Sequence, residues 1–108
     1  MPKFLAVYTG TPAATPPDPE TMMRGGRAWG EWMQKNASHV VEGGGPLGRT
    51  KRVSKAGVAD ARNNLSAFTI IEAESQEAAA ALFENHPHFA IFPGDGVDIM
   101  PILPIPSF

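Results

Sequence analysis

The chain has 108 residues, of which 43% are hydrophobic and 19% charged, and its formal net charge is -2. These values are typical of one globular domain that buries its own core. The slightly negative charge provides no basic surface for nucleic acid or anionic lipid, so we expect neither as a partner. The absence of cysteine excludes disulfides, thiolate catalysis and zinc sites built on sulfur. No signal-peptide core is visible, and no apolar run reaches the roughly 20 residues that span a bilayer, so we expect a cytoplasmic protein.

The first predicted elements are a strand and a long helix. Lys3–Thr9 is a continuous apolar run, which predicts a central strand covered on both faces. A Pro- and Thr-rich loop follows over residues 9–20. Asp18 is predicted to cap a helix that begins at Pro19 and ends near Ser38. The predicted buried face of this helix has a 4-3-4 spacing and consists of Met22, Gly26, Trp29 and Met33.

The middle of the chain is rich in glycine and then in basic residues. His39–Val41 is predicted to begin a second strand, which Gly43–Pro46 interrupts with a bulge or a wide bend. Leu47–Ser54 is predicted to continue as a charged edge strand. Its basic residues have two interpretations: they protect the edge against aggregation, or Arg49 or Arg52 binds an anion.

The last half of the chain predicts a second strand–helix–strand series. Its elements are a polar hairpin connection at Lys55–Asn64, a third strand at Ser66–Glu74, a helix capped by Ser75 and ending near Asn85, and a last strand at Val97–Leu103.

This order, β-α-β-β-α-β, predicts an α+β ferredoxin-like fold in a single domain that covers residues 1–108. Four antiparallel strands would carry two helices on one face. The other face of the sheet is also apolar, with Phe or Ile at several strand positions. Because an uncovered apolar sheet is a liability for a soluble monomer, we expect a homodimer that packs sheet against sheet.

Several short segments resemble known small proteins. TIIEAES-x-EAAAALFENHP at residues 69–87, followed by VDIMPI, resembles the YCII-related family, and FLAVYTG, WGEWM and GGGPL resemble its DGPF-type members. The resemblance implies ferredoxin-like subunits that form a dimeric α/β barrel. The same assembly occurs among muconolactone isomerases, small cofactor-free monooxygenases and haem-handling enzymes, so it does not select a reaction. DGPF-type relatives often accompany alternative sigma factors.

The chain departs from that family where chemistry is concerned. Suspected enzymes of the YCII type pair a histidine on the first helix with an aspartate before the proline that ends the second. Here the first position falls near Ala28 or Trp29, and His86 stands at the second. VADARNNLSAF replaces the Asp-Gly-Pro-Phe signature. The family's His-Asp pair therefore does not transfer, and any chemistry uses other residues.

His86 is the predicted catalytic residue, because histidine titrates near neutral pH. It would act as a general acid or base at the mouth of a pocket between helix and sheet. The alternative is a helix-ending histidine that bonds free carbonyls, where the helix dipole favours a charged imidazole. His88 is assigned to the surface or to packing, and His39 to a strand edge.

Tyr8, Trp32 and Arg49 are predicted to bind substrate, whereas the stripe position of Trp29 assigns it to the core. We expect no metal, because His86 and His88 lack an obvious third ligand other than Asp95 or Asp98, and we expect no cofactor.

Three functional hypotheses follow from these residues. The first is a small cofactor-independent enzyme that transfers a proton on a lactone, enol or phenolic molecule. The second is a non-catalytic ligand-binding or regulatory dimer. The third is a structural dimer, in which side chains would fill the pocket.

Overall fold

The computed structural model describes residues 1–11 and 15–107, so the centre of the predicted 9–20 loop, residues 12–14, lies outside the described residues. The elements follow one another as β1 (Lys3–Thr9), α1 (Pro19–Lys35), β2 (Val40–Pro46), β3 (Thr50–Ser54), β4 (Gly57–Ala61), β5 (Leu65–Glu72), α2 (Gln76–Ala81), α3 (Pro87–Ala90) and β6 (Gly96–Pro101).

Four of the strands form one antiparallel sheet in the order β2-β5-β1-β6. This interleaving of the two strand–helix–strand halves is the ferredoxin-like arrangement, which confirms the predicted fold class. β1 lies inside the sheet, paired with both β5 and β6. Its position explains why the first strand is apolar on both faces.

The two faces of the sheet differ in what covers them. Tyr8 on β1 stacks on Trp29 of α1, so Tyr8 and the alternate residues of β1 on its side of the strand face the helices. Leu5 and Val7 alternate with this row and therefore face the other side. Directly opposite residues on paired strands share a face, which adds Phe68, Ile70 and Met100 to the side without helices.

The region after β2 differs from the prediction. β2 runs through the glycines, with register shifts on either side of Glu42. Gly44 has φ +68°, and a Cβ there would overlap the Phe68 carbonyl, so the bulge requires glycine. Of the predicted edge strand Leu47–Ser54, Thr50–Ser54 is a strand, but its predicted place in the main sheet is wrong, because β3 pairs with β4 as a separate hairpin.

This hairpin also replaces the predicted connection at Lys55–Asn64. Val53 and Val58 lie opposite each other in it and are 77% and 69% exposed. Neither face of this hairpin is buried, so its strands lack the apolar/polar alternation from which strands are predicted.

The helices begin as predicted but end early. Asp18 accepts a hydrogen bond from the Thr21 backbone N–H at 2.7 Å, which caps α1, but the helix ends at Lys35 rather than near Ser38. Ser75 likewise accepts from the Ala78 N–H at 3.0 Å. α2 ends at Ala81 rather than near Asn85.

A short third helix, α3, was not predicted. Asn85 takes a left-handed φ of 58°, which reverses the chain before Pro87. Pro87 then starts α3, because its fixed φ suits a first helical position. No helix in the described ranges is both long and apolar enough to cross a membrane.

Candidate functional site

The centre of the candidate site is Tyr8, which is fully buried at the middle of the sheet. Its ring stacks on Trp29 with centroids 5.1 Å apart and an interplanar angle of 23°. His88 meets the same ring edge-on, at 5.3 Å and 90°. Such stacked and perpendicular contacts are the favoured geometries of aromatic pairs, so the three side chains hold one another in fixed orientations.

The hydroxyl of Tyr8 takes part in a short hydrogen-bond chain. The Thr69 hydroxyl donates to the Gly43 carbonyl at 3.3 Å, so it accepts from the Tyr8 hydroxyl, whose oxygen lies 3.2 Å away. Burial raises the pKa of Tyr8, and the hydrogen bond to Thr69 opposes that change only in part. Tyr8 is therefore a neutral phenol whose proton points toward β5.

A cavity of about 390 Å³ opens beside these rings. We call it the aromatic pocket; its aromatic and imidazole side chains are Tyr8, Trp29, His88 and Phe92, and Ala67, Phe68 and Thr69 of β5 complete that wall. The opposite wall is the glycine segment of β2. A Cβ at Gly45 would have no atom within 4 Å, so the missing side chains leave this space open. The polar groups of the lining are few, as in binding pockets for small organic molecules.

His88 has one ring nitrogen committed to the protein. Its Nε2 lies 2.8 Å from the Thr9 carbonyl, which can only accept, so Nε2 carries the proton. In the neutral ring Nδ1 is then the basic nitrogen. Gly94 packs against the same ring, and a Cβ at Gly94 would overlap Nε2 and Cε1. The Thr9 carbonyl and Gly94 therefore fix the imidazole against the pocket.

His86 lies two residues away in a different environment. It is 0% exposed, and its ring is enclosed by an aromatic cluster that consists of Tyr8, Trp29, Trp32 and Phe83. Its Nδ1 accepts from the His88 backbone N–H at 3.0 Å. Nε2 has no hydrogen-bond partner among the residues that the structure describes.

These surroundings keep His86 neutral. Burial, followed by the nearby His88, lowers the pKa of His86 from 6.5 to about 4. The expected charged imidazole at a helix C-terminus is therefore wrong: His86 instead caps the N-terminus of α3, inside the protein. It does not line the aromatic pocket, so the predicted position at a pocket mouth is also not the one observed.

The other predicted site residues are distributed over separate places. Tyr8 lines the aromatic pocket. Trp32 does not; it is buried, and its Nε1 donates to the Leu82 carbonyl at 2.8 Å. Arg49 lies on two neighbouring cavities at the base of the hairpin. His39 bonds through Nδ1 to the Glu72 carbonyl at 2.9 Å, at the edge of the sheet.

Sequence reasoning assigned Trp29 to the core rather than to the pocket and missed His88 and Phe92 as pocket residues. The predicted helix stripe was displaced by one position, since Met22 is 51% exposed while Gly25 and Trp32 are buried. Gly25 was the sequence feature that could have indicated this wall. A Cβ there would overlap the Phe92 ring, so the glycine makes room for Phe92 against α1.

Metal ligation finds no support in this arrangement. Within residues 1–11 and 15–107, no group of three or more His, Cys, Asp or Glu side chains is placed to hold a metal ion.

Comparison with known proteins gives a likeness of fold. No protein-family model and no curated protein matches the chain. Among solved structures, it is similar to 5-chloro-2-hydroxyhydroquinone dehydrochlorinase (TftG) from Burkholderia phenoliruptrix AC1100, in complex with 2,5-dihydroxybenzoquinone. The TM-score is 0.57 at 18% identity, over 90% of this chain and 89% of that one. The shared architecture is the ferredoxin-like fold.

Proposed function

We propose that this protein is a small enzyme that transfers a proton on a planar phenolic or enolic molecule held in the aromatic pocket. The observation that carries the proposal is the position of His88, which lines the pocket while the Thr9 carbonyl accepts its Nε2 proton. A fixed base beside an apolar cavity is the basic requirement of general acid–base catalysis.

The pocket suits a single ring. Its volume of about 390 Å³ lies in the lower part of the range for small-molecule sites. Trp29 and Phe92 offer flat surfaces on which a planar ligand would stack. Ser66 also lines the wall; its hydroxyl proton is donated to the Tyr8 carbonyl, so its oxygen is left as an acceptor for a hydroxyl group of the ligand.

The proposed reaction follows from the free nitrogen. Nδ1 of His88 would take the proton of a ring hydroxyl, and the resulting phenolate would gain a proton at a ring carbon. The protonated carbon then carries two hydrogens, and loss of the one it held at the start restores the aromatic ring. This tautomerisation moves protons only, so the electrons balance without an oxidant or reductant.

The base is assigned to His88 in place of His86, because only His88 lines the pocket. His86 is proposed as a positioning residue, which accepts the backbone N–H of His88 and so holds the turn that carries the base. Tyr8 remains a proposed ligand contact through its ring. Trp32 is proposed to support Tyr8 from behind through Phe83.

The solved structure of similar fold supports the ligand class. Its name and its bound 2,5-dihydroxybenzoquinone place a small hydroxylated ring on the same architecture. The relationship to YCII-related and DGPF-type proteins is proposed on the sequence segments given above. The ring bound in that structure favours a hydroxylated ring over the lactone of the first hypothesis.

We also propose that two copies pair through the sheet face that carries no helices. Leu5, Phe68 and Ile70 are half-buried on that face, and Met100 is 42% exposed. A second sheet would cover this apolar surface. Light scattering at micromolar concentration should give twice the chain mass, and a monomer mass would contradict the dimer.

A non-catalytic binding dimer is the second candidate function, favoured by the missing His-Asp pair and the mainly apolar lining. One experiment separates the two. The probe is 1,2,4-trihydroxybenzene in D₂O, with binding followed by tryptophan fluorescence, because Trp29 lines the pocket, and ring C–H exchange followed by NMR.

We expect the wild type and His39→Gln to bind the probe and accelerate exchange, and His88→Gln to bind without accelerating it. His39 is the matched control, since it lies at the sheet edge. Binding without exchange in the wild type would favour the second candidate. Absence of binding would contradict both.

A further inference from the structure

The aromatic pocket adjoins a basic region that the proposed reaction does not use. A second cavity of about 370 Å³ lies where the hairpin leaves the sheet, and its lining includes Leu47, Gly48, Arg49 and Ser66. Ser66 also lines the aromatic pocket. A smaller cavity of about 210 Å³ shares Ser66 and His88 with that pocket and Gly10 with the second cavity. Ser66 is therefore common to the walls of all three cavities.

Small residues keep this passage open. The Ser66 hydroxyl donates to the Tyr8 carbonyl at 2.9 Å, which turns its side chain onto β1. A Cβ at Gly48 would have no atom within 4 Å, so that side of the passage has room. Between the base and the hairpin, Gly10, Gly48 and Ser66 are thus small residues that leave room for a ligand.

The far end of the passage is positively charged. Arg49 also lines a cavity of about 510 Å³ together with Lys51, Asp60 and Arg62. Lys51 and Asp60 form an ion pair, which neutralises both. Among the described residues, no carboxylate forms a salt bridge with Arg49 or Arg62.

The charge is segregated along the sequence as well. Residues 49–62 contain five of the nine Lys and Arg residues and one of the eleven Asp and Glu residues, a net charge of +4. The remainder of the chain carries -6. The hairpin segment is therefore the part of the chain whose net charge attracts an anion.

We propose that Arg49, with Arg62 beside it, forms an anion subsite, so that the ligand of this protein is a hydroxylated ring bearing a carboxylate. The ring lies in the aromatic pocket by His88, and the carboxylate extends past Ser66 to the guanidinium groups. Planar guanidinium groups bind carboxylates through paired, charge-assisted hydrogen bonds. The inference rests on the proposed function, because it takes the aromatic pocket as the place of the ring.

The ordinary role of such residues is to keep an exposed hairpin soluble. That role predicts no selectivity between ligands that differ only in charge. A pair of matched probes therefore decides between the two: 2,5-dihydroxybenzoate and hydroquinone, which differ by one carboxylate.

The experiment measures the binding of both probes by tryptophan fluorescence, for the wild type, Arg49→Gln and Arg27→Gln. Arg27 is the matched control, since it is exposed on α1 and lines none of these cavities. We expect the carboxylate probe to bind about tenfold more tightly than hydroquinone to the wild type and to Arg27→Gln. The preference should vanish in Arg49→Gln and weaken with salt, while hydroquinone binding stays unchanged.

Equal binding of both probes to all three proteins would overturn the anion subsite and leave the proposed function intact. A preference that survives Arg49→Gln and the double variant with Arg62→Gln would also overturn it. If neither probe binds to any of the three, the aromatic pocket is not a site for such rings, and the proposed function fails with the subsite.

Discussion

His86 and His88 are separated by one proline, yet they occupy two different regions of the molecule. His86 is sealed among Trp32, Phe83 and their neighbours, with a pKa lowered to about 4. His88 lies at the wall of an open cavity, held through one nitrogen. The same side chain is thus a neutral part of the core at one position and a candidate base at the other.

The turn at Asn85 and Pro87 produces this difference. It directs the first imidazole inward, where its Nδ1 receives the N–H of the second residue. The second imidazole then reaches across to the Thr9 carbonyl of β1. Burial away from solvent disfavours the charged form of the first imidazole, whereas the second, at the wall of a cavity, is the proposed base.

The largest expected effect is on reaction rate at His88. His88→Gln keeps a polar side chain but removes the basic nitrogen, so we expect ring-proton exchange to fall by roughly 10²- to 10⁴-fold, the usual contribution of a general base. The measurement is NMR exchange at saturating probe. A variant that retains the wild-type rate would remove His88 from the reaction.

The aromatic cluster should respond through stability instead. His86→Ala leaves a cavity among the rings and removes the acceptor of the His88 N–H, so we expect a loss of about 2–4 kcal/mol in the free energy of unfolding. His86→Phe fills the cavity and should lose less, about 1–2 kcal/mol. Urea unfolding measures both, and equal losses would contradict the packing account.

Acid should destabilise the protein through the same residue. The pKa of His86 is about 4 in the folded protein and 6.5 in the unfolded chain. Between these values the unfolded state binds a proton that the folded state does not. The contribution of His86 to the free energy of unfolding is therefore complete above pH 6.5 and declines as the pH falls toward 4.

The decline should reach about 3 kcal/mol at the acid end of this window. The difference in unfolding free energy between wild type and His86→Phe should therefore change with pH across it. A constant difference would show that His86 does not resist protonation.

The smallest expected effect compares two adjacent glycines of α1. A Cβ at Gly25 would overlap the Phe92 ring, whereas one at Gly26 would have no atom within 4 Å. Gly26→Ala should therefore stabilise the helix by up to about 1 kcal/mol. Gly25→Ala should displace Phe92 and weaken probe binding several-fold. Thermal unfolding measures the stability of both variants, and fluorescence titration measures their probe binding. Equal stability and equal binding in the two variants would contradict the packing of Phe92 against Gly25.

Much of the fold was predictable, because strong local signals agreed. The apolar run of β1, the cap at Asp18 and the cap at Ser75 each fixed an element at its true start. The hairpin after β2 was not predictable, since neither of its strands buries a face. The third helix was hidden because Pro87 signals the end of one helix and the start of another equally well.

The candidate site was less predictable than the fold. Tyr8 lines the pocket, but the sequence pointed to His86 and assigned His88 to the surface or to packing, because the orientation of both depends on the left-handed Asn85, whose φ no pattern revealed. Trp29 and Trp32 both lie near one helix face, and a shift of one stripe position exchanged their predicted roles. Such distinctions arise from tertiary packing rather than from sequence periodicity.

The most direct test of the central claim is NMR of the three imidazole side chains, with and without 1,2,4-trihydroxybenzene. We predict that the probe shifts the His88 signals, while His86 remains neutral with its proton on Nε2 throughout pH 5–8. Titration of His86 near neutral pH, together with probe-induced shifts at His86 and none at His88, would contradict the assignment of the two histidines.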